Sequence, residues 1–274
     1  MPEQDLKTTS TAFDPQSLAG LFDLRDRVAY VPGGYGGIGE AIAWGLAQAG
    51  AKVAVSGRDE ARAMELAATL RAAGHDALGL AMDAHSVPDI QRSVDAVQRH
   101  FGALDLLLNC VGIQREQALL DVSEEAFDEV VQVNLKSAMF LAQAAAGHQI
   151  AGGRGGRQVH LLSVRAQLGL RGRGYSAYAS SKGALVMLIR QHASELAPHG
   201  ITVNGIAPTV VRTEMARHWL DNPVTHQQVL DRIPLGRVAE PSDVAGPAVF
   251  FCSPAAAFVT GQVLYLDGGI TASQ

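Results

Sequence analysis

Arg27-Val28-Ala29-Tyr30-Val31, followed by Pro32-Gly33-Gly34-Tyr35-Gly36-Gly37-Ile38-Gly39, is the stretch that decides the fold. Its first part is a short, mostly aliphatic run, the pattern of a strand buried on both faces. Gly33, Gly37 and Gly39 end that run, and the chain through Ala49 then reads as a helix. Glycines at this point permit a tight turn and let the backbone come close to a phosphate. The helix that follows adds free N–H groups and the positive end of its dipole. Strand, glycine turn and helix in this order specify an anion-binding turn at the head of an α/β fold.

The rest of the chain repeats the alternation. Further strands are expected at Lys52–Ser56, Asp76–Ala81, Leu104–Asn109, Arg157–Leu162, Ile201–Ile206 and Val263–Leu266. Helices are expected at Asp59–Ala73, ending at Gly74, and at Val87–Phe101. Another begins after Ser123, whose hydroxyl suits an N-cap, and one runs from Tyr178. Short aliphatic strands separated by helices imply a parallel sheet covered on both faces. Right-handed crossovers make it doubly wound. The expected architecture is a single-domain Rossmann-type α/β fold with seven parallel strands over residues 21–274. A flexible N-terminal tail is expected over residues 1–20.

Composition narrows the class. The 274 residues are 47% hydrophobic and carry a net charge of −5, which argues against nucleic acid as a partner. Two cysteines, Cys110 and Cys252, give neither a disulfide framework nor a metal spacing. The nine histidines include no paired zinc motif, so no metal is expected. No signal peptide or membrane span is read, and a cytoplasmic protein is expected.

In a doubly wound sheet, ligands bind beyond the carboxyl ends of the strands. Asp83, Asn109, Gly112, Ser163 and Pro208 all fall at or just past such ends. Tyr178-Ala-Ser-Ser-Lys182 opens a helix leaving the same edge. Residues i and i+4 share a helix face, so Tyr178 and Lys182 point the same way. A cation beside a phenol favours phenolate and is expected to lower the Tyr178 pKa.

With these residues in view, the sequence resembles the short-chain dehydrogenase/reductase family over roughly residues 22–270. The resemblance rests on the Gly33/Gly37/Gly39 turn, Asp83, Asn109-x-x-Gly112, Asn134, Ser163, Tyr178-x-x-x-Lys182, and Pro208 with Thr213. It implies an NAD(P)-dependent oxidoreductase interconverting a secondary alcohol and a ketone. Ser163 would donate a hydrogen bond to the substrate oxygen, Tyr178 would exchange a proton with it, and Lys182 would hold the nicotinamide ribose. Asn134 would position a water leading from Lys182 to solvent. Tyr35, Ile38, Arg58, Val211 and Thr213 join the glycines, Asp83, Asn109, Gly112 and Pro208 as expected cofactor contacts. A 3-oxoacyl-carrier-protein reductase and an inactive cofactor-binding sensor are the alternatives.

Three details depart from the family pattern. Pro32 removes a hydroxyl and a backbone donor where the family usually has Thr. Cys110-Val111 stands in place of Asn-Ala, and Cys110 reads as a packing residue. The interval from Ser163 to Tyr178 is about two residues longer than the family commonly shows.

NADP is expected over NAD. An acid usually ends the second strand of an NAD site, and here Gly57 stands there with Arg58 after it. Arg115, Arg165, Arg171, Arg173 and Arg212 fall on segments expected to rim the crevice. They suggest a polar, anionic small-molecule substrate such as a sugar acid. Residues from about 212 to 235 are expected to form the substrate lid. The all-round apolar run Ala184–Ile189 and an edge position for the last strand suggest a homotetramer, as in the family.

Overall fold

The computed structural model describes residues 18–273. The expected tail lies, up to residue 17, outside the described residues. Among those described, seven strands form one all-parallel sheet in the order β3-β2-β1-β4-β5-β6-β7. They are β1 (Val28–Pro32), β2 (Lys52–Gly57), β3 (Ala77–Ala81), β4 (Leu106–Asn109), β5 (Gly156–Leu161), β6 (Ile201–Pro208) and β7 (Val263–Leu266). The order reverses between β1 and β4, and the crevice of such a sheet opens at that switch point.

The period-two alternation of β1 shows how both faces are buried. Ala29 and Val31 join a core with Ile42 and Leu46 of α1 (Gly37–Gln48) and Leu66 and Leu70 of α2 (Glu60–Ala72). Val28 and Tyr30 point the other way, into a core with Ile90, Val94 and Val97 of α3 (Val87–Phe101). Each Val, Ile or Leu among them contributes about 1.5–3 kcal/mol when fully buried. Tyr30 is wholly buried and brings a hydroxyl with it. Ser56 Oγ at 2.7 Å and Ser93 Oγ at 2.9 Å satisfy that hydroxyl.

The remaining helices are α4 (Glu124–Val131), α5 (Ser137–Gly152), α6 (Ser176–Leu196), α7 (Arg217–Leu220), α8 (Pro223–Leu230), α9 (Pro241–Cys252) and α10 (Ile270–Ser273). Ser123 caps α4, its hydroxyl accepting the Ala126 N–H at 3.2 Å. Gly74 follows α2 at φ +90°, a conformation side-chain-bearing residues resist.

The differences from the expected boundaries are local. β4 begins two residues later than expected, because Asp105 is occupied as a polar node: its carboxylate accepts the Val28 N–H at 2.9 Å and Arg154 at 2.8 Å. Pro32 falls on the last residue of β1, where its carbonyl still accepts the Cys110 N–H at 2.9 Å. The Gly33 N–H continues the β1–β2 pairing to Ser56 O. Among the described residues, no helix is long and apolar enough to cross a membrane.

Candidate active site

The glycine turn is a cradle that side chains would fill. Gly33 has φ +77°, and a Cβ on it would fall 2.8 Å from the Cys110 carbonyl. A Cβ on Gly39 would lie 2.3 Å from Gly33 O, and one on Gly37 would lie 2.5 Å from Thr213 Cγ2. The turn therefore packs backbone on backbone ahead of the α1 N-terminus, as close approach to a diphosphate demands. These residues fit a dinucleotide.

A cavity of about 760 Å³ runs along the carboxyl edge of the sheet. Tyr35, Gly57, Arg58 and Arg62 line its outer end; Gly112, Ser163, Tyr178 and Lys182 line its middle. Trp219, Val229 and Arg232 from the 212–235 segment line it too. Ile38, Pro208, Val211 and Thr213 also face the cavity.

Ser163 lies two residues past the end of β5 and caps a short turn, its Oγ accepting the Arg165 N–H at 3.2 Å. Tyr178 and Lys182 stand one turn apart on α6, as the i, i+4 spacing requires. The electrostatics differ from the expectation. Burial raises the Tyr178 phenol above its ordinary range, and hydrogen bonding by Ser163 opposes that rise. The Lys182 ammonium lies 5.7 Å from the ring centroid and donates to Leu161 O at 2.8 Å. The ammonium is itself destabilised, and burial brings its pKa down to about 8.

That depression has a consequence for stability. The folded pKa of Lys182 lies below its ordinary 10.5. The folded state is therefore disfavoured relative to the unfolded one as pH falls from 10.5 through about 8, and the penalty is complete at neutrality. Lys182→Met is expected to stabilise the cofactor-free protein at pH 7 by about 2–3 kcal/mol, as read from urea denaturation. Unchanged or lower stability would contradict the burial argument.

Asn134 lies in a π-helical turn, Gln132–Lys136, between α4 and α5. Such turns widen the helix by one residue and gather at functional sites. Asn134 Oδ1 accepts the Ile113 N–H at 2.8 Å, while Nδ2 donates to Ile113 O and Ser181 Oγ, both at 3.0 Å. With both amide protons taken, the side chain is a clasp joining the loop after β4 to α6. A Cβ on Gly112 would sit 3.4 Å from Lys182 Nζ, so that loop passes close over the lysine.

Several expected site residues stand outside the cavity wall. Asn109 is buried and shapes the loop, its Oδ1 accepting the Val111 N–H at 3.0 Å. Asp83 turns to His85 at 2.9 Å, and that neighbour's backbone and ring hold its carboxyl below the usual range. Arg115 makes two 2.9 Å bonds to Glu129. Arg173 pairs with Glu116 at 2.7 Å and stacks on Trp219 at 3.9 Å. Arg212 pairs with Glu240 at 2.9 Å. The sequence placed these arginines near the rim, but each has a carboxylate neighbour brought in by folding.

Arg165 and Arg171 do line the cavity. Arg165 Nη1 donates to Leu168 O at 3.2 Å and Gly169 O at 2.7 Å, which anchors the loop of extra length. Burial, then the nearby charge of Arg232, lowers the Arg165 pKa. Arg232, Arg62, Tyr175 and Trp219 were not singled out from sequence, although all four face the cavity. Only the placing of Trp219 and Arg232 inside the expected lid segment hinted at two of them. Cys110 packs beside the first core, and burial pushes its thiol up to about 12, so it is no thiolate. Among the described residues no cluster could hold a metal ion.

Comparison with known proteins agrees with this geometry. A family model described as "Enoyl-(Acyl carrier protein) reductase" matches residues 34–271. The chain is 36% identical over 253 residues to 2-dehydro-3-deoxy-D-gluconate 5-dehydrogenase of Escherichia coli, covering 92% of this chain and 98% of that one. It is 35% identical to gluconate 5-dehydrogenase of Gluconobacter oxydans, with the same coverages. A crystal structure of a gluconate 5-dehydrogenase from Burkholderia cenocepacia, in complex with NADP and tartrate, superposes with a TM-score of 0.89. It is 34% identical, covering 93% of this chain and 99% of that one. A glycine cradle, a Tyr-Lys pair on the cavity wall at one sheet edge and relatives matched along almost their whole length lead to one assignment. The chain belongs to the short-chain dehydrogenase/reductase family, NAD(P)-dependent oxidoreductases acting on CH–OH groups.

Proposed function

We propose that the protein interconverts a secondary alcohol and a ketone on an anionic sugar or sugar acid, with NADP favoured over NAD. The observation that carries this reading is the charge of the cavity wall. Arg58, Arg62, Arg165, Arg171 and Arg232 line it, and among the described residues Glu214 is the sole carboxylate there. Glu214 is already paired with Arg217 at 2.8 Å. An apolar ketone would leave the arginines with nothing to bind, whereas a carboxylate takes two parallel bonds from a guanidinium. The relative whose structure contains NADP and tartrate, a hydroxy acid, supports the same chemistry.

The bound nicotinamide supplies or accepts the hydride. The protein binds, orients and moves protons. Gly33, Gly37 and Gly39 would cradle the diphosphate, and Lys182 would hold the nicotinamide-side ribose. Ser163 would donate to the substrate oxygen and Tyr178 Oη would give or take its proton. Arg165, Arg171 and Arg232 would orient the anionic end. Asn134 would keep the loop after β4 in place and hold the water that returns protons to solvent.

The test compares sugar acids, neutral sugars and acyl thioesters, each with NADP and NAD. Highest kcat/KM with NADP and a sugar acid is expected. Arg165→Ala and Arg171→Ala should each lower that value about tenfold or more, the loss of a charge-assisted contact. Equal rates on neutral and anionic sugars, unaltered by both substitutions, would remove the substrate reading. Highest rates on acyl thioesters would favour the carrier-protein alternative.

The same reading includes a cytoplasmic homotetramer. On α6, Leu185 and Ile189 are buried while Met187 is 59% exposed, and Leu264 on the edge strand β7 is 40% exposed. Those apolar surfaces suit self-association. Light scattering at micromolar concentration is expected to give the mass of four chains, and a single-chain mass would exclude it.

A further inference from the structure

The outer end of the cavity, beyond β2, holds two guanidinium groups, Arg58 and Arg62. Neither forms an ion pair among the described residues. Asp59 caps α2 by accepting the Arg62 backbone N–H at 3.2 Å, and Asp83, which feels the Arg58 charge, is bonded to His85. Two guanidinium groups in one wall with no ion pair among the described residues are the footprint of a multiply charged anion.

Arg62 is held in place. Its guanidinium lies 4.8 Å from the Tyr35 ring centroid, and Nη2 donates to Tyr35 O at 3.4 Å. Tyr35 is fixed in turn, because its hydroxyl accepts the Asp59 N–H at 3.0 Å. The same ring lies over Gly57, where a Cβ would fall 2.3 Å from Tyr35 Cε1. Gly57 is the position at which an NAD site usually carries its ribose-binding acid. Here the tyrosine occupies that space, and it carries an arginine on its ring.

We propose that Arg62, stacked on Tyr35, is a second cation beside Arg58 for the adenosine 2′-phosphate of NADP, and that the Tyr35 ring excludes an acid at position 57. The inference rests on the NADP reading above and adds to it how the preference is built. A phosphate monoester carries about −1.5 to −2 charges at neutrality, more than one guanidinium balances. The glycine turn has Gly36 and no cation of its own, so the second charge arrives from the first turn of α2. Stacking pre-organises Arg62, so less side-chain freedom is lost on binding. Tyr35 is a positioning residue for Arg62.

The experiment measures binding to the full-length protein, without turnover. NADPH and NADH are titrated by fluorescence, and 2′,5′-ADP by calorimetry. Wild type is expected to bind NADPH more tightly. Arg62→Ala should lower the NADPH-to-NADH affinity ratio about tenfold and weaken 2′,5′-ADP alike, as loss of one charge-assisted bond predicts. Tyr35→Ala should lower the ratio in the same direction, and the double variant should fall no further than Arg62→Ala alone. Gly57→Asp should fail to strengthen NADH binding, while Gly57→Asp with Tyr35→Ala should strengthen it. Thermal melts identify any variant that has lost its fold, in which case Arg62→Gln replaces Arg62→Ala. A ratio within twofold of wild type for Arg62→Ala, with a collapse for Arg58→Ala, overturns the role of Arg62 and leaves the NADP reading intact. Tighter NADH binding by Gly57→Asp alone overturns the exclusion by Tyr35. Wild-type preference for NADH overturns both the reading and the inference.

Discussion

Tyr178→Phe is expected to cut turnover about a thousandfold while leaving the fold and cofactor binding in place. The substitution removes one oxygen and keeps the ring that packs edge-on against Tyr175 at 6.2 Å. General acid–base catalysis contributes about 10²–10⁴ in rate, and this phenol is the group proposed to provide it. Ser163 can still polarise the substrate oxygen, while its Oγ also accepts the Arg165 N–H. The check is nicotinamide absorbance for rate and fluorescence titration for binding. A Phe variant retaining more than a few per cent of wild-type turnover would refute the assignment. The pH dependence follows from the same group. Burial raises the phenol, so before cofactor and substrate bind it is protonated at neutrality and suited to donating. Alcohol oxidation, which needs the phenolate, should quicken as pH rises, while ketone reduction should slow.

Gly39→Ala is expected to destroy the cofactor site from within. The added methyl would lie 2.3 Å from Gly33 O and 2.9 Å from Gly34 Cα. Both are backbone atoms of the turn itself, so no side chain can swing away to make room. Overpacking of this kind costs about 1–3 kcal/mol where neighbours yield, and more where they do not. A fall of about 5 °C or more in Tm and a loss of at least about 100-fold in NADPH affinity, near 3 kcal/mol, are expected. Differential scanning and fluorescence titration measure the two. Wild-type affinity would show that the turn relaxes and that its close packing is not what holds the diphosphate. Gly102 provides the control: it has φ +77° but open space around it, so substitution there should affect stability alone.

Aliphatic runs and glycine spacing made the architecture legible, together with several residues that line the cavity. Buried strands read as aliphatic runs because both faces of a parallel sheet are covered, and β7 and α3 were found at their expected bounds. Gly33, Gly37, Gly39, Ser163, Tyr178 and Lys182 were legible because local geometry fixes them: a turn that admits only glycine, a strand end, and one helical repeat. Only the tertiary structure decided the charges. Arg115, Arg173 and Arg212 looked like free cations on rim segments, yet Glu129, Glu116 and Glu240 stand against them after folding. Arg62 had no local sign of function and Arg232 only its place in the expected lid, and both came to the cavity through the packing of α2 and the 212–235 segment. The pKa of Lys182 likewise turned on burial, and burial depends on the whole core. Backbone form follows from near neighbours in the chain, whereas the electrostatics of a site are summed over residues that meet only in space.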